Sequence, residues 1–96
     1  MRPSEALALH RDELRELVRR FDVARPRIFG SVLTGTDTED SNLDLLVDRG
    51  KATSLSTLAG LQSEAEKLLG VSVDVLTPNS LSPKFRDDVL RHAEPL

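Results

Sequence analysis

An α/β (α+β) fold with a small mixed sheet of three or four strands covered by helices is what this sequence predicts. Three observations carry that expectation. Apolar residues recur at helical spacing in two long stretches, near the start and the middle of the chain. Short Val- and Leu-rich runs separate them, ending at Gly, Pro or Asn. The stretch between the second and third of these runs is long enough for a crossover helix, which makes those two strands parallel neighbours.

Pro3-Ser4-Glu5 predicts a helix start, with Ser4 as the cap and an acid in the first turn. Leu7, Leu14, Leu17, Val18 and Phe21 then form one apolar face, and Arg11, Asp12, Glu13, Arg15, Glu16, Arg19 and Arg20 the solvated one. Pro26 disfavours helix for its predecessor, so Arg27–Phe29 is expected as a short strand that closes in a Gly30-Ser31 turn. Val32–Gly35 predicts one helical turn and Thr36–Ser41 a polar, acidic loop. Asn42–Val47 reads as a second, buried strand, followed by a turn over Asp48–Lys51. Thr53 or Ser54 caps a helix to about Leu69, with Leu55, Leu58, Leu61, Ala65, Leu68 and Leu69 as its stripe and Gly70 as its stop. Val71–Leu76 alternates as a third strand, and Ser82-Pro83 opens a last helix through about His92.

Ninety-six residues allow one domain, expected over 1–96, with a small core. Three Phe and no Tyr or Trp leave that core to Leu and Val. The absence of Cys removes disulfides and thiolate metal sites from consideration and suits a reducing cytoplasm. No apolar run approaches the ~20 residues of a membrane span, and no secretory leader pattern opens the chain, so no membrane association is expected. A net charge of −3 with dispersed Lys and Arg argues against stable nucleic-acid binding. Any phosphate handled here is expected to be held locally, through a divalent cation.

The residues with chemical content converge on one place. The Gly30-Ser31 turn exposes backbone N–H groups suited to an anion. Asn42 and Asp44, two apart on a strand, share a face, while Leu43, Leu45 and Val47 fill the other. If the second and third strands are neighbours, Asp74 comes beside Asp44. Clustered carboxylates repel one another unless a hard cation lies between them, and Mg²⁺ takes such oxygens together with substrate phosphates. That set suits phosphoryl or nucleotidyl transfer. Asn42 alone reads equally as a turn residue at the strand entry, and Asp74 alone as a strand-end acid. His10 and His92 have no ligand-spaced partner and are expected at the surface.

Gly30-Ser31, a ten-residue spacer, Asn42-Leu43-Asp44 and the later Asp74 resemble the minimal nucleotidyltransferases of the DNA polymerase beta superfamily. More narrowly, the chain is similar to the MNT-type antitoxins that accompany HEPN-domain toxins. The resemblance implies a nucleotidyltransferase-like fold in which Gly30 and Ser31 hold the triphosphate of ATP. Asn42, Asp44 and Asp74 would be the Mg²⁺ positions, Asp44 and Asp74 being catalytic. The implied reaction moves AMP from ATP onto a hydroxyl, a tyrosine, of a cognate HEPN toxin with which the chain forms a hetero-oligomer. Two positions depart from the family pattern. Asn42 stands where the family has Asp, and Thr34 where relatives commonly carry Arg before the second Gly. An amide can coordinate a cation but brings no charge, and a unit charge about 4 Å from a dication is worth several kcal/mol at an effective dielectric near 20. Thr offers no guanidinium fork to a phosphate. The alternative is therefore a catalytically impaired form that neutralises its partner by binding alone.

Overall fold

A computed structural model describes all residues, 1–96. The order of elements is α1 (Pro3–Arg19), β1 (Val23–Phe29), α2 (Ser31–Thr34), β2 (Leu43–Arg49), α3 (Leu55–Leu69), β3 (Val73–Leu76), a 3-10 turn (Pro78–Ser80), α4 (Pro83–His92) and β4 (Glu94–Pro95). The four strands form one mixed sheet in the order β3-β2-β1-β4, with β2 parallel to β3 and β1 antiparallel to both β2 and β4. The expected crossover is therefore present, with α3 linking the parallel pair.

The core lies on one face of the sheet. Leu7, Leu14, Leu17 and Val18 of α1 and Leu61, Ala65 and Leu69 of α3 are buried against Ile28, Leu43, Leu45, Val47 and Val73. At about 25 cal/mol per Å² of apolar surface removed from water, this interdigitated layer supplies the main driving force for folding. Because successive strand residues alternate, Phe29, Asp44 and Asp74 point away from that layer. The second face is only partly covered: α4 runs past it and buries none of its own side chains fully.

Local chemistry explains the element boundaries. Ser54 accepts from the Thr57 N–H and Thr57 Oγ1 from the Ser54 N–H, a reciprocal cap that starts α3. Gly70 ends the helix in a left-handed conformation, φ 70°. Several boundaries differ from the sequence-based expectation. Ser4 lies inside α1, and its N–H is capped from a distance by the Asp37 carboxylate at 2.8 Å. β1 begins at Val23, because Pro26 sits at a register shift between Ala24 and Arg27 where its missing N–H costs no ladder bond. β2 runs on through Asp48 and Arg49, whereas Asn42 falls just before it. Leu55, at the first position of α3, is exposed, although its spacing places it on the apolar stripe. Thr36–Ser41 forms the expected loop, yet its Asp37 is buried.

Candidate functional site

Gly30 sets the geometry. It has φ 81° and ψ −153°, a conformation that L side chains rarely adopt. A Cβ at this position would collide with the Asp44 carboxylate. The turn therefore requires glycine twice over, for its backbone angle and for the approach of Asp44. Directly after it, α2 is a single four-residue turn starting at Ser31, whose first N–H groups have no intrahelical acceptor. Gly35, with φ 75°, closes that turn. Thr34 Oγ1 is engaged locally with Thr36 Oγ1 at 2.9 Å, and Ser31 O lies within its reach.

The ladder brings the acids together. Phe29 pairs with Asp44 across the antiparallel β1–β2 register, and Asp44 pairs with Asp74 across the parallel β2–β3 register. Cross-strand partners share a face, so Phe29, Asp44 and Asp74 form one row beside the Gly30 turn. Asn42, one residue ahead of β2, donates from Nδ2 to Asp74 Oδ2 at 3.0 Å. Burial, with the nearby Asp74 charge as the second cause, raises the Asp44 carboxyl to about pKa 6. No hydrogen-bond donor counters those two effects.

The donor set fits a hard dication in part. Asp44 is a half-buried carboxylate pressed between a glycine cradle and a second carboxylate, and a bound Mg²⁺ would relieve both the desolvation and the repulsion. Asp44 and Asp74 could hold such an ion. Asn42 could add a neutral oxygen, but its amide nitrogen already satisfies one oxygen of Asp74. The cluster has two carboxylates, and the interstrand hydrogen bond stands where a third would have repelled them.

Gly30, Asn42, Asp44 and Asp74 are thus gathered at one end of the sheet, with Ser31 adjoining Gly30 on α2. Three features of the surroundings escaped sequence reading. Phe29 belongs to the acid row, which only the strand register reveals. Asp37 links the loop ahead of β2 to the start of α1, and its Oδ1 is buried without a partner. Its carboxyl is held below the usual range, chiefly by the Ser4 N–H. The wall formed by Asp88, Val89 and His92 of α4 faces Phe29, Gly30 and Leu33 across an open cavity; His92 is exposed there, as expected.

Comparison with known proteins bears on this arrangement. The nucleotidyltransferase domain model matches residues 7–96. Protein adenylyltransferase MntA of Thermococcus cleftensis is 40% identical over 85 residues, which span 88% of this chain and 83% of that one. A solved structure assigned as a minimal nucleotidyltransferase aligns with a TM-score of 0.85 and 42% identity, over 97% of this chain and 95% of the other. A toxin–antitoxin structure solved with AMP-PNP aligns with a TM-score of 0.74 at 20% identity, over 88% of this chain and 69% of that one, a likeness of fold alone.

Proposed function

The chain belongs to the nucleotidyltransferase domain family, and from that premise we propose that it is an MNT-type antitoxin that transfers AMP from ATP to a hydroxyl of a HEPN-type toxin. The observation that carries the proposal is the row Asp44–Asp74 in parallel register, with Gly30 packed against Asp44. Support for a protein acceptor comes from a relative named protein adenylyltransferase. Support for a toxin partner comes from the resemblance of the motif and from a similarly folded toxin–antitoxin complex. A tyrosine hydroxyl is the acceptor proposed, and the cytoplasm, where ATP and Mg²⁺ are both available, is the compartment the reaction needs.

In this reading the acceptor oxygen bonds to the α-phosphorus of ATP, the bond from that phosphorus to the bridging oxygen breaks, and pyrophosphate leaves. A Mg²⁺ ion held by Asp44 and Asp74 would neutralise the phosphate charge and polarise the transferred group. Gly30 and the N–H groups of Ser31 and Val32 orient the phosphates. Asp74, paired with Asp44 across the parallel strands, is the residue proposed to help activate the acceptor hydroxyl. Most of the rate gain is positioning and charge neutralisation, for which the glycine turn and the paired strands are rigid supports.

A second reading has its own observation. Asn42 spends its amide on Asp74, which lowers the charge of the cluster and occupies an oxygen a cation would use. Neutralisation of the toxin by binding alone follows if that loss is decisive. Incubating the chain with the toxin, labelled ATP and Mg²⁺, alongside Asn42→Asp and Asp44→Asn, separates the two. Label on the toxin with the unaltered chain, faster by about tenfold or more with Asn42→Asp and absent with Asp44→Asn, supports the enzyme. Label with Asn42→Asp only supports the binding reading for this chain, and label with neither overturns the assignment of the site.

A further inference from the structure

A second cavity, of about 620 Å³, lies where α1, the first part of β1 and the β4 segment meet. It opens along Val23–Arg27, whereas the glycine turn follows the opposite end of β1. Four arginines line it, Arg15 and Arg19 from α1 and Arg25 and Arg27 from β1, and no acidic side chain does. In a chain of net charge −3 with 13 Lys and Arg in all, that is a local concentration of positive charge against the overall sign. The arginines' own partners leave charge over. Arg27 Nη2 donates to Asp48 Oδ1 at 2.6 Å and Arg25 Nη1 lies 3.6 Å from Oδ2 of the same carboxylate, so two guanidinium groups share one acid. Arg15 and Arg19 pair with Asp12 and Glu16 on their own helix, in exposed contacts that are weak and readily exchanged. Between the arginines the floor is aliphatic, with Val18, Val23 and Leu90.

One extended segment already shows how this cavity takes a chain. β4 adds to β1 at Arg27 and Ile28, and the Leu96 N–H donates to Pro26 O at 2.9 Å. Leu96 O then accepts from Arg11 Nε at 3.0 Å and Arg15 Nε at 2.9 Å. Val23–Arg25 of β1 have no strand on that edge, and they line the cavity. Arg25 there holds a left-handed φ of 50°, which residues other than glycine rarely take, and its side chain is exposed. We propose that the cavity is a docking site for an acidic, extended peptide segment of a partner protein: its Asp or Glu side chains pair with Arg15, Arg19 and Arg25, and its aliphatic side chains rest on the floor beside the free edge of β1. Nucleic acid is disfavoured, since no aromatic residue lines the cavity for a base to stack on. None of these residues belongs to the acid row or the glycine turn, so the site stands apart from nucleotide transfer.

The test is fluorescence anisotropy with the whole chain, without Mg²⁺, and a labelled short peptide of alternating Leu and Glu as probe. With no cation present the acid row repels such a peptide, so its binding reports the arginine cavity. Saturable binding is expected, and a peptide with Gln in place of Glu is expected not to bind. Raising the ionic strength from about 0.01 M to about 1 M shortens the screening length from about 30 Å to about 3 Å and is expected to weaken binding. Arg19→Gln combined with Arg25→Gln is expected to weaken it about tenfold, in line with the loss of two partly exposed ion pairs. Both side chains are exposed, so an unchanged melting temperature is expected to show that the variant is folded, and the comparison of the two peptides needs no variant at all. Equal binding of the Glu and Gln peptides, or no saturable binding of the Glu peptide up to about 1 mM, would overturn the proposal. So would a folded double variant that binds as well as the unaltered chain. A short single-stranded oligonucleotide that binds more tightly and displaces the peptide would also overturn it, assigning the cavity to nucleic acid instead.

Discussion

Asp44 meets two opposed demands. As a carboxylate between a glycine turn and Asp74 it is a good ligand, but the same burial and the same neighbour disfavour its charge. Its folded-state carboxyl at about pKa 6 is above its ordinary value of 3.8. Between those two values the folded state binds more protons than the unfolded one, so stability falls as pH rises through that window. The deficit is complete above pH 6 and absent below the ordinary value. Asp44→Asn removes the charge at nearly constant shape, so it is expected to raise the melting temperature at pH 8 by a few degrees and to change it little at pH 4, while abolishing Mg²⁺-dependent nucleotide binding. Thermal scans at the two pH values check this, and a lower melting temperature at pH 8 contradicts it. Asn42 applies the same logic in reverse. Its residue type was visible in the sequence as a departure from the family pattern. That the amide is spent on Asp74 was not, because the contact depends on how β2 and β3 align.

At the scale of elements, β3 is the outer strand of the sheet, with one edge free of strand partners. An exposed edge invites pairing with another chain. Here α3 closes it: Gln62 Oε1 accepts from the Val75 N–H at 3.1 Å and Glu66 Oε2 from the Val73 N–H at 3.0 Å. The two side chains are four apart on the helix and the two amides two apart on the strand, so one turn of α3 spans one repeat of β3. Glu66→Ala leaves the Val73 amide without its acceptor, at a cost of about 1–2 kcal/mol. Faster hydrogen exchange at Val73 and a lower denaturation midpoint are the expected readings; unchanged exchange at that amide excludes the edge-capping role. The stripe of α3 itself was legible, since Leu61, Ala65 and Leu69 are buried as their spacing predicts. The start of β1 was not. Pro26 looks like a boundary in one dimension, yet a bulge lets the strand pass through it, and Arg25 takes a left-handed φ of 50° to do so. Nor was the cap of α1 legible, because Asp37 reaches Ser4 from 33 residues away.

Taken whole, the molecule separates the jobs of its two sheet faces. α1 and α3 bury the Leu and Val rows on one side, and the other side is left for the acid row, the glycine turn and the cavity beside α4. This division was readable because period-two alternation assigns the faces, and because a helix-length connection makes β2 and β3 parallel. The part supplied by α4 was hidden, since its residues approach the site only through the tertiary fold. Keeping one face for chemistry limits the core: 18 of 96 residues are buried. A domain of this size has modest stability, and ligands that bind only the folded state shift it visibly. Mg·ATP at about 100 times its dissociation constant adds about 2.7 kcal/mol, or roughly 10–20 °C in melting temperature for a domain under 100 residues. That gain should shrink as pH falls below about 6, because Asp44 takes up a proton there and the cation loses a ligand. A thermal-shift series across pH with and without Mg·ATP reads both effects. A gain that persists undiminished at pH 5 would place the bound phosphates away from Asp44, and no gain at saturating Mg·ATP would leave the open face without the ligand its geometry is built to hold.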